Sequence, residues 1–199
     1  MSHHLREVWK HVGMWAAILF LVMVPCATAQ SVPHNRLTFS GGWSREPKRR
    51  FAFEQRTATG LGLSYGRRLQ KHVEAEAGVF TAMNPTGVIC FTGGCVDVND
   101  RFIWVPFGLR FIAPPYLGRI ELSGGGGGLY QKYTREKDPV GAIFPYHGWG
   151  GYFVGSVSVA IDRRQRYWLG ATPRWFLANV GSRRDRWFQI SGEFSVRFR

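Results

Sequence analysis

Long apolar runs are almost missing from this chain. Apart from Met14 to Val24 near the start, no stretch approaches the ~20 apolar residues that a membrane-crossing helix needs. No sustained 3.6-residue periodicity appears either, so helical bundles and helical membrane proteins are excluded. Cysteine is scarce, three in 199 residues, too few for a disulfide-dense scaffold or a four-cysteine zinc site. Acidic residues number 13 against 26 Lys and Arg, for a net charge of +13. Histidines outside the N-terminal segment are His34, His72 and His147. They are too scattered for a metal centre, and no metal or cofactor is expected. The glycine run Gly124–Gly128 lacks the following Lys-Ser/Thr and the strand–loop–helix setting of a phosphate loop.

What the chain does contain is glycine, 25 residues, and aromatic side chains at 15%. Its first segment has the layout of an export signal: Arg6 and Lys10, then the apolar Met14–Val24 core, then Ala27-Thr28-Ala29 as a small-x-small cleavage site. Residues 1–29 are therefore expected to be a signal peptide and 30–199 the mature domain, about 170 residues, the size of one domain. Cys26 offers lipid attachment as a second route. Pro25 stands where that route wants a small residue, which ranks it behind. Cleavage leaves Cys90 and Cys95 around Phe-Thr-Gly-Gly, and an oxidising compartment favours a disulfide between them.

The end of the chain carries the clearest pattern. Phe188, Ile190, Gly192, Phe194, Val196 and Phe198 alternate with Gln189, Ser191, Glu193, Ser195 and Arg197. Period-two alternation of this length is a β-strand between an apolar and a polar environment, long enough to cross a bilayer at a tilt. The same pattern recurs near 37–44, 57–67, 73–79, 101–112, 119–133, 152–162 and 167–180. Eight strands result. Their odd-numbered connections (45–50, 83–100, 135–148 and 181–186) read as longer loops, and the even-numbered ones (68–71, 113–118 and 163–166) as short turns. Covering of the glycine run by neighbouring aromatics is expected inside strand five.

The composition of the two faces decides which is inside. The polar set is mostly Gly, Ser and Thr with a few charges of both signs: Glu74, Glu76, Arg110, Glu121, Asp162, Arg174, Glu193 and Arg197. A water-facing surface would carry bulkier solubilising residues. Small side chains with pairable ions fit the cramped interior of an eight-stranded barrel, and buried charges require partners, so Glu–Arg bridges are expected within it. The apolar set is nearly free of charge through the strand centres, as contact with lipid demands. Trp43, Tyr65, Tyr130, Tyr133, Tyr152, Tyr167, Trp187 and Phe198 fall near strand ends, where interfacial girdles form.

With this meander, its trimmed and elaborated ends, the Trp104-Val-Pro-Phe-Gly-Leu-Arg-Phe111 run and the aromatic-rich last strand, the mature chain resembles the small eight-stranded bacterial outer-membrane β-barrel proteins. The resemblance implies an all-β, eight-stranded antiparallel up-and-down transmembrane barrel in the outer membrane. It also implies a last strand read by the barrel-assembly machinery, although here Arg199 follows the terminal aromatic Phe198. A monomer with a structural, surface-presentation or interaction role is expected. Lys48, Arg49, Arg50, Arg183, Arg184 and Arg186 fall in expected outer loops, where lipopolysaccharide phosphates would meet them. Export and the lack of a binding motif argue against nucleic acid. Two alternatives stand behind this reading: a soluble periplasmic barrel around an apolar ligand, and a lipid A-modifying barrel enzyme. His147, Ser156 and Asp162 supply the residue types for the enzyme but not the spacing of a triad.

Overall fold

A computed structural model of the chain describes residues 35–46, 57–91, 94–114, 119–136, 145–180 and 183–199. Residues 1–29, expected to be a signal peptide, lie outside them, as do Lys48, Arg49 and Arg50. The strands are β1 (Asn35–Arg45), β2 (Thr57–Gln70), β3 (Val73–Phe91), β4 (Gly94–Ile112), β5 (Ile120–Glu136), β6 (Pro145–Ala160), β7 (Tyr167–Val180) and β8 (Arg183–Phe198). Each pairs antiparallel with its neighbours in sequence, and β8 returns to β1, closing an eight-stranded barrel. The closing register sets Phe39 opposite Phe194 and Thr38 opposite Ser195. Closure leaves no sheet edge, so the strand backbone is paired without help from water.

Alternation places the faces. On β8, Gln189, Ser191, Glu193 and Ser195 are buried, while Ile190 and Phe194 are exposed. Outward side chains form an apolar belt that runs around the barrel through Phe39, Leu61, Leu63, Val79, Leu109, Phe153, Val157, Leu169 and Ile190. Leu61 is 72% exposed and Phe111 60%. Such a continuous apolar exterior is the reverse of a soluble barrel, whose outer face would be polar.

Several strands extend beyond the alternating segments. Residues 83–100, expected as an irregular loop, instead continue the β3–β4 hairpin as far as the Phe91–Gly94 pair, with a register shift between Asn84 and Gly87. Gly94 there adopts φ +134°, open to glycine and rarely to other residues. Arg183, Arg184 and Arg186, expected in a loop, belong to β8 and pair with Val180, Asn179 and Leu177. Beyond the alternating segments the ladder persists because backbone hydrogen bonds do not require an apolar face. At the other end the connections are tight. In the β6–β7 turn, Tyr167 N donates to Asp162 Oδ1 at 2.9 Å and Trp168 Nε1 donates to the Gln165 carbonyl at 2.8 Å. Asp162 therefore caps a turn and does not join the lumen charges, a correction to its expected place on strand six.

Candidate functional site: a filled lumen

The lumen is built by the inward half of each strand and has two layers. Toward the short turns lies a charged layer. Glu74 and Glu76 project from β3, Arg110 from β4, Glu121 from β5, Arg174 from β7, and Glu193 and Arg197 from β8. Arg110 Nε stands 2.6 Å from Glu76 Oε2, and Arg197 Nη2 is 2.5 Å from Glu121 Oε1. Arg174 pairs with Glu193 and donates to Ser191 Oγ at 2.7 Å. Two further cations complete the layer. Arg36 on β1 reaches Glu74 at 2.5 Å and Glu76 at 3.5 Å, and Arg68 on β2 reaches Glu121 at 3.7 Å. Both were legible by parity: Arg36 shares the face of Thr38 and Ser40, and Arg68 that of Ser64 and Gly66.

Two of the guanidinium groups also lie over rings. Arg197 lies 3.9 Å from the centroid of Trp168, and Arg174 lies 4.4 Å from that of Phe80. Desolvated cation–π contacts of this kind add attraction where water is excluded. Small hydroxyls fill the remaining space: Thr38 Oγ1 lies 2.8 Å from Ser195 Oγ, and Ser123 Oγ 2.6 Å from Ser156 Oγ. Gly66 lies beside the Glu74 carboxylate, so close that a Cβ would meet Oε1 at 2.3 Å.

Above this layer, toward the long connections, the lumen is apolar. Phe80, Phe102, Trp104, Leu129, Tyr152, Phe176 and Trp187 form one buried cluster, with Tyr133 packed against it. Trp104 stacks on Phe176 at 4.8 Å between centroids, and Phe102 meets Trp187 at 4.5 Å. Trp104 Nε1 donates to Gln131 Oε1 at 3.0 Å, and Gln131 in turn donates to Asp185 Oδ2 at 2.8 Å. This layer corrects the sequence expectation for Tyr133, Tyr152 and Trp187, which were assigned to the outer girdle. They sit near strand ends, but their parity turns them inward. Of the expected girdle, Trp43, Tyr167 and Phe198 do face outward and are exposed. Outside, Trp149 packs against Tyr130 and Phe107.

The triad residues are kept apart. Ser156 faces the lumen, bonded to Ser123 and within 3.4 Å of Arg110 Nη1. His147 is exposed on β6, opposite Lys132, nine residues or roughly 30 Å along the strand from Ser156. Asp162 lies in the turn beyond the far end of that strand. Cys90 and Cys95 are directly opposite one another in the β3–β4 register. Their side chains lie outside the described residues, as do those of Arg183 and Arg184. Arg186 is exposed on β8.

A closed up-and-down barrel of eight strands, apolar outside and filled with paired ions and rings inside, has the fold of the small outer-membrane β-barrels. Solved structures with that fold are similar to this chain. Neisserial surface protein A matches at TM-score 0.58 and 11% identity over 83% of this chain and 96% of that one. The outer-membrane protein OprG of Pseudomonas aeruginosa matches at 0.56 and 10%, over 81% and 95%. The outer-membrane protein AlkL in lipid bilayers matches at 0.51 and 12%, over 88% and 95%. At such identities the likeness is one of fold. No protein-family model matches the chain, and no curated protein matches it in sequence.

Proposed function

We propose that the chain is an integral β-barrel of the bacterial outer membrane with a presentational, non-catalytic role. Its filled barrel is a rigid mount that holds the long-loop end toward the exterior. The observation that carries this reading is the pairing of an exposed apolar belt with a lumen closed by side chains: such a body calls for an apolar medium around it, in a cell a lipid bilayer. The lumen residues support a mount and not a pore, because the ion pairs and the ring cluster occupy the space a channel would need. Lys48, Arg49, Arg50, Arg183, Arg184 and Arg186, in or beside the long connections, supply the chemistry to meet lipopolysaccharide phosphates. The terminal strand, which closes the barrel on β1, is the segment the assembly machinery would read.

Gel mobility of the detergent-extracted membrane fraction, with and without boiling, tests the reading. A barrel that stays folded in detergent at room temperature is expected to change apparent mass on heating. Recovery of the mature chain in the soluble periplasmic extract, with no heat-dependent shift, would overturn it.

A further inference from the structure

We propose that the short-turn rim of the barrel is a docking ring for anionic glycerophospholipid headgroups. The inference rests on the reading that the belt spans a bilayer. Six exposed cations crown this end: Lys71 in the β2–β3 turn, Arg119 before β5, Arg163, Arg164 and Arg166 in the β6–β7 turn, and Arg199 at the C-terminus. The closed strand order distributes these connections around the circumference, so the charges form a ring and not a pocket.

Acidic groups do little to offset the ring. Asp162 is the one acidic side chain among the described residues of the short turns, and its Oδ1 is engaged by the Tyr167 amide. Glu74 and Glu121 stand just inside but are buried against Arg36, Arg68 and Arg197. Among the described residues the opposite end is mixed in sign, with Glu46, Asp97, Asp100, Glu136 and Asp185 beside its basic residues.

The apolar belt identifies the occupant as lipid. Leu69, Phe111, Ile161, Tyr167 and Phe198 are exposed apolar or aromatic side chains at the same strand ends as the cations. A cation one or two residues beyond hydrocarbon-facing rings lies at the level of the phosphates, within reach of a long Arg or Lys stem. A ring of such groups matches a plane of phosphates better than a single soluble anion. Each Lys or Arg near an anionic surface adds attraction that salt removes.

The test uses the full mature chain in phosphatidylcholine bilayers. Electron paramagnetic resonance measures its association with spin-labelled phosphatidylglycerol and spin-labelled phosphatidylcholine. The expected result is about a threefold preference for the anionic label, collapsing toward one in 1 M salt. The turn variant Arg163→Ser, Arg164→Ser, Arg166→Ser is expected to lose roughly half of that preference. Adding Lys71→Ser, Arg119→Ser and Arg199→Ser removes the rest. Equal association of both labels with the unaltered chain overturns the inference, as does a preference that survives in the six-site variant. Heat-dependent mobility is recorded on the same samples. A chain that shifts on heating yet shows no preference loses this inference and keeps the barrel reading, whereas absence of motionally restricted lipid of either kind removes both.

Discussion

Arg110 shows how the lumen differs from a soluble core. It is 1% exposed and holds Glu76 Oε2 at 2.6 Å, with Arg36 Nη2 at 3.5 Å from the same oxygen. Removing one member of such a pair leaves a buried charge without compensation, which costs about 3–5 kcal/mol, whereas replacing both with apolar groups is often neutral. Arg110→Leu is therefore expected to destabilise the folded barrel by about that amount in urea titrations in lipid vesicles. Arg110→Leu with Glu76→Leu is expected to recover most of the loss. If the double variant is no better than the single, the pair is not an isolated unit and Arg36 carries more of Glu76 than its distance indicates. Asp162 supplies a second test, in the β6–β7 turn beyond the apolar belt. The backbone amide of Tyr167, with those of Arg166 and Arg164, holds its carboxyl below the usual 3.8. A lowered value means the turn gains from the ionised form above the unfolded-state value and loses that gain as pH falls through the folded one. The Tyr167 amide resonance is therefore expected to hold steady down to about pH 4 and move only below the ordinary aspartate range. A midpoint at or above 3.8 would contradict the contact.

The charged residues of the lumen could be read from sequence because they stand among Gly, Ser and Thr on a face whose other side is apolar; Glu193 between Phe194 and Gly192 is unambiguous. The ring cluster could not. Phe102-Ile103-Trp104-Val105 is apolar on both faces, so alternation gives no sign there, and only counting back from Arg110 by twos turns Phe102 and Trp104 inward. Tyr152 and Trp187 misled for a related reason: an aromatic near a strand end suits a girdle or a lumen plug equally well by composition.

Among elements, β6 offers a sharp contrast in two adjacent glycines. A Cβ on Gly150 would stand 1.8 Å from the Leu177 carbonyl oxygen on β7, a backbone atom that cannot move aside. A Cβ on Gly151, on the outer face, would meet nothing nearer than the Gly127 carbonyl at 3.4 Å. Gly150→Ala is therefore expected to lower stability by about 1–3 kcal/mol or block folding, and Gly151→Ala to be tolerated, as scored by the folded band in unboiled gels. Equal behaviour of the two would mean that the β6–β7 pair is more widely spaced. The β3–β4 hairpin makes a different prediction. Its register sets Cys90 opposite Cys95, and directly opposed strand positions lie about 4.5–5.5 Å apart at Cα, within the span of a disulfide. If the chain is exported as proposed, both thiols are expected to resist alkylation until a reductant is added. Labelling without reductant would show them free. The length of this hairpin was hidden in the sequence because Pro85, the apolar run Val88–Phe91 and the glycines 93–94 interrupt the alternation, and a backbone ladder needs no alternation.

At the scale of the whole molecule, the question is what surrounds the belt, and depth decides it. Leu63 lies near the middle of the outer face, between Phe39 on β1 and Val79 on β3, both exposed. Leu69 is as exposed as Leu63 but stands at the short-turn rim beside Lys71. In water the two positions are equivalent, and an arginine at either would be close to neutral. In a bilayer they are not: a cation at the midplane costs about 2–4 kcal/mol, and near the interface about 0–1, where it can reach the phosphates. Leu63→Arg is therefore expected to reduce folding stability in lipid vesicles by the larger amount and Leu69→Arg by little. The difference should vanish if the chain is folded in a water-soluble polymer that does not form a layer. Equal costs in vesicles would mean that the belt meets something other than hydrocarbon of defined thickness. A graded cost ties the alternation in sequence, the exposed belt and the cationic rim to a single boundary: the strands are apolar only between the two levels at which water begins.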